Sequence, residues 1–201
     1  MAKPVGKKKK LAAVKRVVKR VVKNPVQASA FPTAIGQMAL AWRGEKIVAV
    51  FLPEENAKKL LAQVRKRLRA PKLEFSAELP AFAGHMAAQI RTHLRGEPQK
   101  FDFAHVQLPA RGPFTTKVYE CSVGIPSGTV LTYRELALKA GSPKAFRAVG
   151  QAMATNPLPI VIPCHRVVGT AKSAGGFSAH GGLATKARIL DIESHDSTNQ
   201  D

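Results

Sequence analysis

Two folded units of different class are expected from this chain: a mixed α/β unit over residues 26–110 and a mainly helical unit over residues 111–195. Three patterns predict that division. Residues 34–53, "AIGQMALAWRGEKIVAVFLP", hold two apolar runs on either side of a glycine-containing turn, the pattern of a β-hairpin. Residues 54–70 and 82–95 follow it with apolar side chains at helical spacing. From residue 114 onward the segments read as helices, and two of them are joined by a tight Gly-Ser turn, as in a helix-turn-helix.

Residues 1–25 read as a basic arm. Ten of the 32 Lys and Arg residues lie within residues 1–23, where no Asp or Glu occurs. Leu11, Val14, Val18 and Val21 recur there at spacings of three and four. That pattern describes either a basic amphipathic helix formed on a polyanion or a solvated tail. The 201-residue chain has a formal net charge of +19, and beyond the arm it still carries 22 basic against 13 acidic residues. A basic body with a basic arm favours a polyanionic partner, nucleic acid above all. Charge interrupts "LAAVKRVVKRVV" too often for a secretory signal, and no apolar run reaches membrane-span length. The expectation is a cytoplasmic protein with no membrane partner. Its two cysteines form neither a disulfide framework nor a zinc-ligand spacing, which fits a reducing compartment and predicts no metal.

In the first unit, the hairpin precedes a surface helix over 54–70 with Leu60, Leu61, Val64 and Leu68 on one face, ended before Pro71. A second helix is expected over 82–95. Phe101 and Phe103 alternate with charge in "GEPQKFDF", as an edge strand would. His85, His93 and His105 lack carboxylate or cysteine partners at ligand spacing and read as ordinary surface or core histidines.

In the second unit, Phe114 to Val123 reads as a short helix ended by Gly124 and Pro126. Residues 132–141 form another, with Thr132 as cap and Gly141 at the C-terminus. Ser142 and Pro143 suit the cap and first position of the next helix, which Pro157 terminates. Its Ala148, Gly150 and Ala152 permit close approach to a narrow surface. Residues 182–193 form a last helix with Leu183, Ile189 and Leu190 inward, and residues 196–201 a tail.

"IPCHRV" (162–167) carries the chemistry. A thiol attacks as thiolate and needs a base or a positive environment to ionise, and His165 and Arg166 supply both types of group beside Cys164. Neighbouring side chains in extended backbone point to opposite faces, so contact requires a turn or a bridging water. A third group should orient the imidazole, and the local pattern leaves Asp191, Glu193 and Asp196 open. Cys121, mid-helix with no base nearby, reads as core.

"NPLPIVIPCHRVVG" (156–169) resembles the active-site signature of the O6-alkylguanine-DNA alkyltransferases, the methylated-DNA–protein-cysteine methyltransferases. "GTVLTYRELALKAGSPKAFRAVGQAM" (128–153) resembles the family's DNA-binding segment and "GGLATKARILDIE" (181–193) its closing helix. The hairpin and "GEPQKFDF" resemble its N-terminal domain more weakly. The resemblance implies a ribonuclease-H-like first unit and a winged-helix-like second one. It implies that Cys164 is the alkyl acceptor, His165 its base through a water, and Glu193 the acid orienting that base. Asn156 would hold the turn around the cysteine, and Tyr133 would rotate the target nucleotide and protonate the leaving guanine. Arg147 would fill the space of the flipped base, with Tyr133, Ala148, Gly150 and Arg166 completing the DNA-contacting set. Pro159, Val167 and Ser178 or His180 would line the base pocket.

The implied activity is single-turnover transfer of an alkyl group from guanine O6 in double-stranded DNA to Cys164. The protein would act as a monomer with no cofactor, its arm adding nonspecific DNA affinity. The competing readings are a non-catalytic binder of alkylated bases on the same scaffold, against which Cys164 itself counts, and an architectural DNA binder driven by the arm. Three departures from the family pattern stand out: a loop at "GGFSAHGG" (175–182) about two residues longer than usual, Tyr119 where tryptophan is common, and the lysine-rich arm.

Overall fold

The computed structural model describes residues 25–70, 72–170 and 176–194, so residues 1–24 of the arm, Asp196 and the C-terminal tail lie outside the described residues. A four-stranded sheet has the order β3-β2-β1-β4. Strands β1 (Val26–Thr33), β2 (Gly36–Arg43) and β3 (Lys46–Phe51) run antiparallel, and β4 (Leu73–Phe75) lies parallel to β1. The expected hairpin is thus β2 and β3, turning at Gly44 with φ 57°. The register shifts between Ala41 and Trp42, leaving Val48 as the extra residue of a bulge. That extra residue turns Ile47 and Val50, three positions apart, to the same face.

Both sheet faces are buried, which is why the strands read as nearly continuous apolar runs rather than clean alternation. Ala28, Ala39, Ala41, Ala49 and Phe51 pack with Leu60 and Val64 of α1 (Ala57–Leu68). Met38, Leu40, Trp42, Ile47 and Val50 face Met86, Ala87 and Ile90 of α2 (Ala81–His93). The same cluster continues into the C-terminal half through Val118, Leu136, Val149, Ile162 and Ile189.

The strand expected at Phe101 and Phe103 does not form. Local side chains take the backbone groups a ladder would need: Gln89 bonds to Lys100 O and Asp102 N, and Asp102 Oδ1 accepts from Ala104 N. Instead, residues 105–107 pair with Ile47 at the β3 edge, where Ile47 N donates to His105 O at 2.6 Å. Farther along that edge Val50 N donates to Pro157 O at 2.8 Å, which docks the segment carrying the cysteine against the sheet.

The second half contains α3 (Pro113–Val123), α4 (Tyr133–Lys139), α5 (Phe146–Ala154) and α6 (Leu183–Ser194). Thr132 and Glu135 form a capping box at the start of α4. After α4, Gly141 at φ 76° reverses the chain, and Ser142 N bonds back to Ala137 O. Ser142 is therefore part of a turn, closed by Ala145 N to Ser142 O, and α5 starts at Phe146 rather than at the expected Ser142–Pro143 cap. Strands β5 (Leu131–Thr132) and β6 (Val167–Val168) pair in parallel and bring the start of α4 beside the cysteine turn.

Candidate active site

Cys164 opens a single 3₁₀ turn, Cys164–Arg166, reached from α5 through a tightly bonded loop. Asn156 organises that loop. Its Nδ2 donates to Ile162 O at 2.8 Å and its Oδ1 accepts from Leu158 N at 2.9 Å, while Ile162 N donates to Leu158 O. Ile160 sits inside it at φ 74°, an unfavourable conformation for a β-branched residue, held by its complete burial. The 3₁₀ turn sends Cys164, His165 and Arg166 into different surroundings, so a bridging water is the route left for a proton between the thiol and the imidazole.

Cys164 is 8% exposed and borders a cavity of about 450 Å³ shared with Tyr133, Gly150, Met153, Phe177 and Ser178. Burial pushes its thiol above the ordinary range, against the pull of the Asn156 amide and of the Lys186 and Arg67 cations. The sulfur therefore rests protonated and needs a base to react. Burial and the nearby Cys164 raise the Tyr133 phenol, which stays a proton donor.

His165 is fully buried, with Nε2 2.8 Å from Glu193 Oε1. Among the described residues, Glu193 is the acid that reaches the imidazole; Asp191 is exposed on α6, and Asp196 lies outside the described residues. Burial would raise the Glu193 carboxyl, but hydrogen bonds from His165, His93 and Arg166 outweigh it and hold the group far below the carboxylate range. Burial lowers His165 against the opposing bond to Glu193, so the ring is neutral. An ionised Glu193 accepts the Nε2 proton and leaves Nδ1 with its lone pair. Nδ1 has no hydrogen-bond partner among the described residues.

Arg166, expected at the DNA surface, is instead buried. Its Nε and Nη2 meet Glu193 at 3.0 and 2.8 Å, and Nη1 donates to Ile125 O at 2.5 Å. A buried carboxylate requires a counter-charge, and Arg166 supplies it. His93, expected to be an ordinary histidine, has Nε2 2.8 Å from Glu193 Oε1. Nothing in its local sequence signals this, since the partner lies 100 positions away.

The remaining expected residues divide. Arg147 and Ala148 are exposed on the outer face of α5, and Gly150 borders the cavity. Ser178 lines the cavity, whereas His180 is exposed and lies 4.0 Å from Glu54. Pro159 borders a second, smaller recess at Cys164, together with Arg67. Val167 is fully buried, and its carbonyl accepts from Lys186 Nζ at 2.6 Å. Cys121, expected in the core, is only half-buried, with Sγ 3.5 Å from Lys139 O.

Phe177, Arg67 and Lys186 escaped the sequence reading. Lys186 was legible, seven positions before Glu193 on the inward face of α6, where Ile189 is also buried. Arg67 was not, since its Nη2 donates across the fold to Asn156 O.

Residues 113–195 match the family described as 6-O-methylguanine DNA methyltransferase, DNA binding domain. The methylated-DNA–protein-cysteine methyltransferase of Haemophilus influenzae is 33% identical over 81% of this chain and 83% of its own length. The constitutive protein of that name in Bacillus subtilis is 33% identical over 80% of this chain and 91% of its own. Among solved structures, Mycobacterium tuberculosis OGT in complex with DNA superposes with a TM-score of 0.67 at 27% identity, covering 85% of this chain and 94% of that one.

Proposed function

The chain belongs to the methylated-DNA–protein-cysteine methyltransferases and repairs DNA by alkyl transfer, and from that premise we propose that Cys164 takes the alkyl group from guanine O6 of a nucleotide flipped into the cavity. The observation that carries this reading is a nearly buried thiol bordering the cavity, followed in sequence by an imidazole tied to a buried carboxylate. His165 Nδ1 takes the thiol proton through a water molecule. The thiolate attacks the alkyl carbon, a carbon–sulfur bond forms and the carbon–O6 bond breaks. The electron pair passes to the purine, which Tyr133 protonates. The product thioether is not reversed by any group of the site, so each molecule acts once.

Glu193 orients His165 and stabilises the imidazolium, and Asn156 holds the turn. Arg147 enters the base stack from the exposed face of α5, where Ala148 and Gly150 allow close approach. Pro159, Ser178 and the Val167 carbonyl shape the pocket around the base. We assign the substrate as double-stranded DNA carrying O6-alkylguanine, bound by a monomer, with nonspecific affinity from the arm. The division at residues 26–110 and 111–195, and the ribonuclease-H-like and winged-helix-like descriptions of the two units, belong to the same reading.

Mass measurement after incubation with an O6-methylguanine duplex tests it. One methyl group should appear on Cys164 and none in Cys164→Ala. Unmodified wild-type protein would refute the assignment.

A further inference from the structure

We propose that His93, contributed by the α/β half, is a positioning residue for the transfer step, acting through Glu193 on His165. The inference rests on the assignment of Glu193 as the group that orients His165. His93 is 2% exposed at the end of α2, and its Nε2 lies 2.8 Å from Glu193 Oε1. Its tautomer follows from its other ring nitrogen. Gln99 N donates to His93 Nδ1 at 3.3 Å, so Nδ1 is an acceptor and the ring proton sits on Nε2, aimed at Glu193. Phe101, with its ring centroid 5.4 Å away, holds the imidazole from the side.

Glu193 Oε1 therefore receives three donors, from His93 Nε2, His165 Nε2 and Arg166 Nη2, and Oε2 receives Arg166 Nε. These donors come from two separate elements, the end of α2 and the 3₁₀ turn, and fix the plane of the carboxylate. The plane in turn fixes the His165 ring and keeps Nδ1 as the free lone pair. Because His93 donates as a neutral ring, it stiffens the carboxylate without adding charge. Arg166 alone then balances Glu193 at rest, and the site retains room for the imidazolium that forms when His165 accepts the thiol proton. The α/β half, which carries no reacting group, thus reaches the Glu193 carboxylate through the His93 hydrogen bond.

The test measures single-turnover methyl transfer from an O6-methylguanine duplex, at saturation, alongside duplex affinity, for His93→Phe, His93→Gln and Glu193→Gln. His93→Phe should slow transfer roughly tenfold, as expected when a buried carboxylate loses one of its donors, and leave affinity within about twofold. His93→Gln, whose amide N–H reaches the same oxygen, should recover most of the rate. Wild-type speed in His93→Phe overturns the inference, and so does equal slowing of both His93 variants, which marks a packing role. If His93→Phe does not fold, the ¹⁵N spectrum of the wild-type protein decides: protons on Nε2 of both His93 and His165 support the inference, and a proton on His93 Nδ1 overturns it. Wild-type speed in Glu193→Gln would instead remove the reading on which the inference rests.

Discussion

Glu193 Oε1 lies 2.8 Å from His165 Nε2, joining a carboxylate on α6 to an imidazole 28 positions earlier. That one contact converts a Cys-His dipeptide into an oriented pair. Without it, the ring of a fully buried histidine would have no reason to present one nitrogen rather than the other. With it, the lone pair is assigned to Nδ1, the nitrogen that the proposed base role requires.

Replacing Glu193 by Gln leaves Arg166 as a buried cation without its counter-charge. Folding stability should fall by about 3 kcal/mol. Transfer should slow by roughly 10²-fold, as when an oriented general base is lost. Chemical denaturation and single-turnover rates read the two effects separately, and a stable, fast variant would contradict both.

The pH dependence of stability follows from the same groups. His165 is held below its ordinary value by burial, so the unfolded chain binds a proton near ~6.5 that the folded one refuses. Stability should therefore fall as pH drops below ~6.5, with a slope of up to about 1.4 kcal/mol per pH unit for that proton. Cys164 is raised by burial, so the unfolded thiol ionises first and stability should also fall above about pH 8.5. Glu193, held low, adds a loss as pH falls below about 4.3. Melting curves of wild type and His165→Gln check the sign: the variant should lose much of the slope between about pH 6.5 and 4.3.

Asn156→Ala removes the donor to Ile162 O and the acceptor for Leu158 N, both buried. The expected cost is about 3 kcal/mol, since two backbone groups lose their partners. The left-handed Ile160 would relax, and transfer to Cys164 should slow even where the variant remains folded. Asn156→Asp keeps the acceptor alone and should fall between the two in a denaturant titration.

Arg147 is exposed and does not border the cavity. Arg147→Ala should slow transfer from an alkylated duplex on the order of tenfold, the scale of a lost aid to base flipping. Reaction with the free base O6-benzylguanine, which needs no flipping, should keep its wild-type rate. Equal slowing with both substrates would move Arg147 from the duplex to the pocket.

Much of the fold was readable because its signals are local. The β2–β3 hairpin announces itself through its glycine turn, α1 and α2 through apolar spacing, and α4 through its Thr132 cap. β1 was hidden by Pro32 and its small residues, and β4 by having only three residues. Phe101 and Phe103 alternate as a strand should, but Gln89, a dozen positions back, takes the hydrogen bonds of that segment.

Residue identity and spacing along the chain were enough to find Cys164, its neighbour His165 and the helices that present them, because thiol chemistry and helix periodicity are properties of short segments. Local pattern left the acid that meets the imidazole open and only family resemblance pointed to Glu193; that Arg166 turns inward to balance it, and that His93 joins them from 100 positions away, were decided only when the chain closed. A buried charge must collect its donors from whatever elements pack around it, and no local pattern records which those will be.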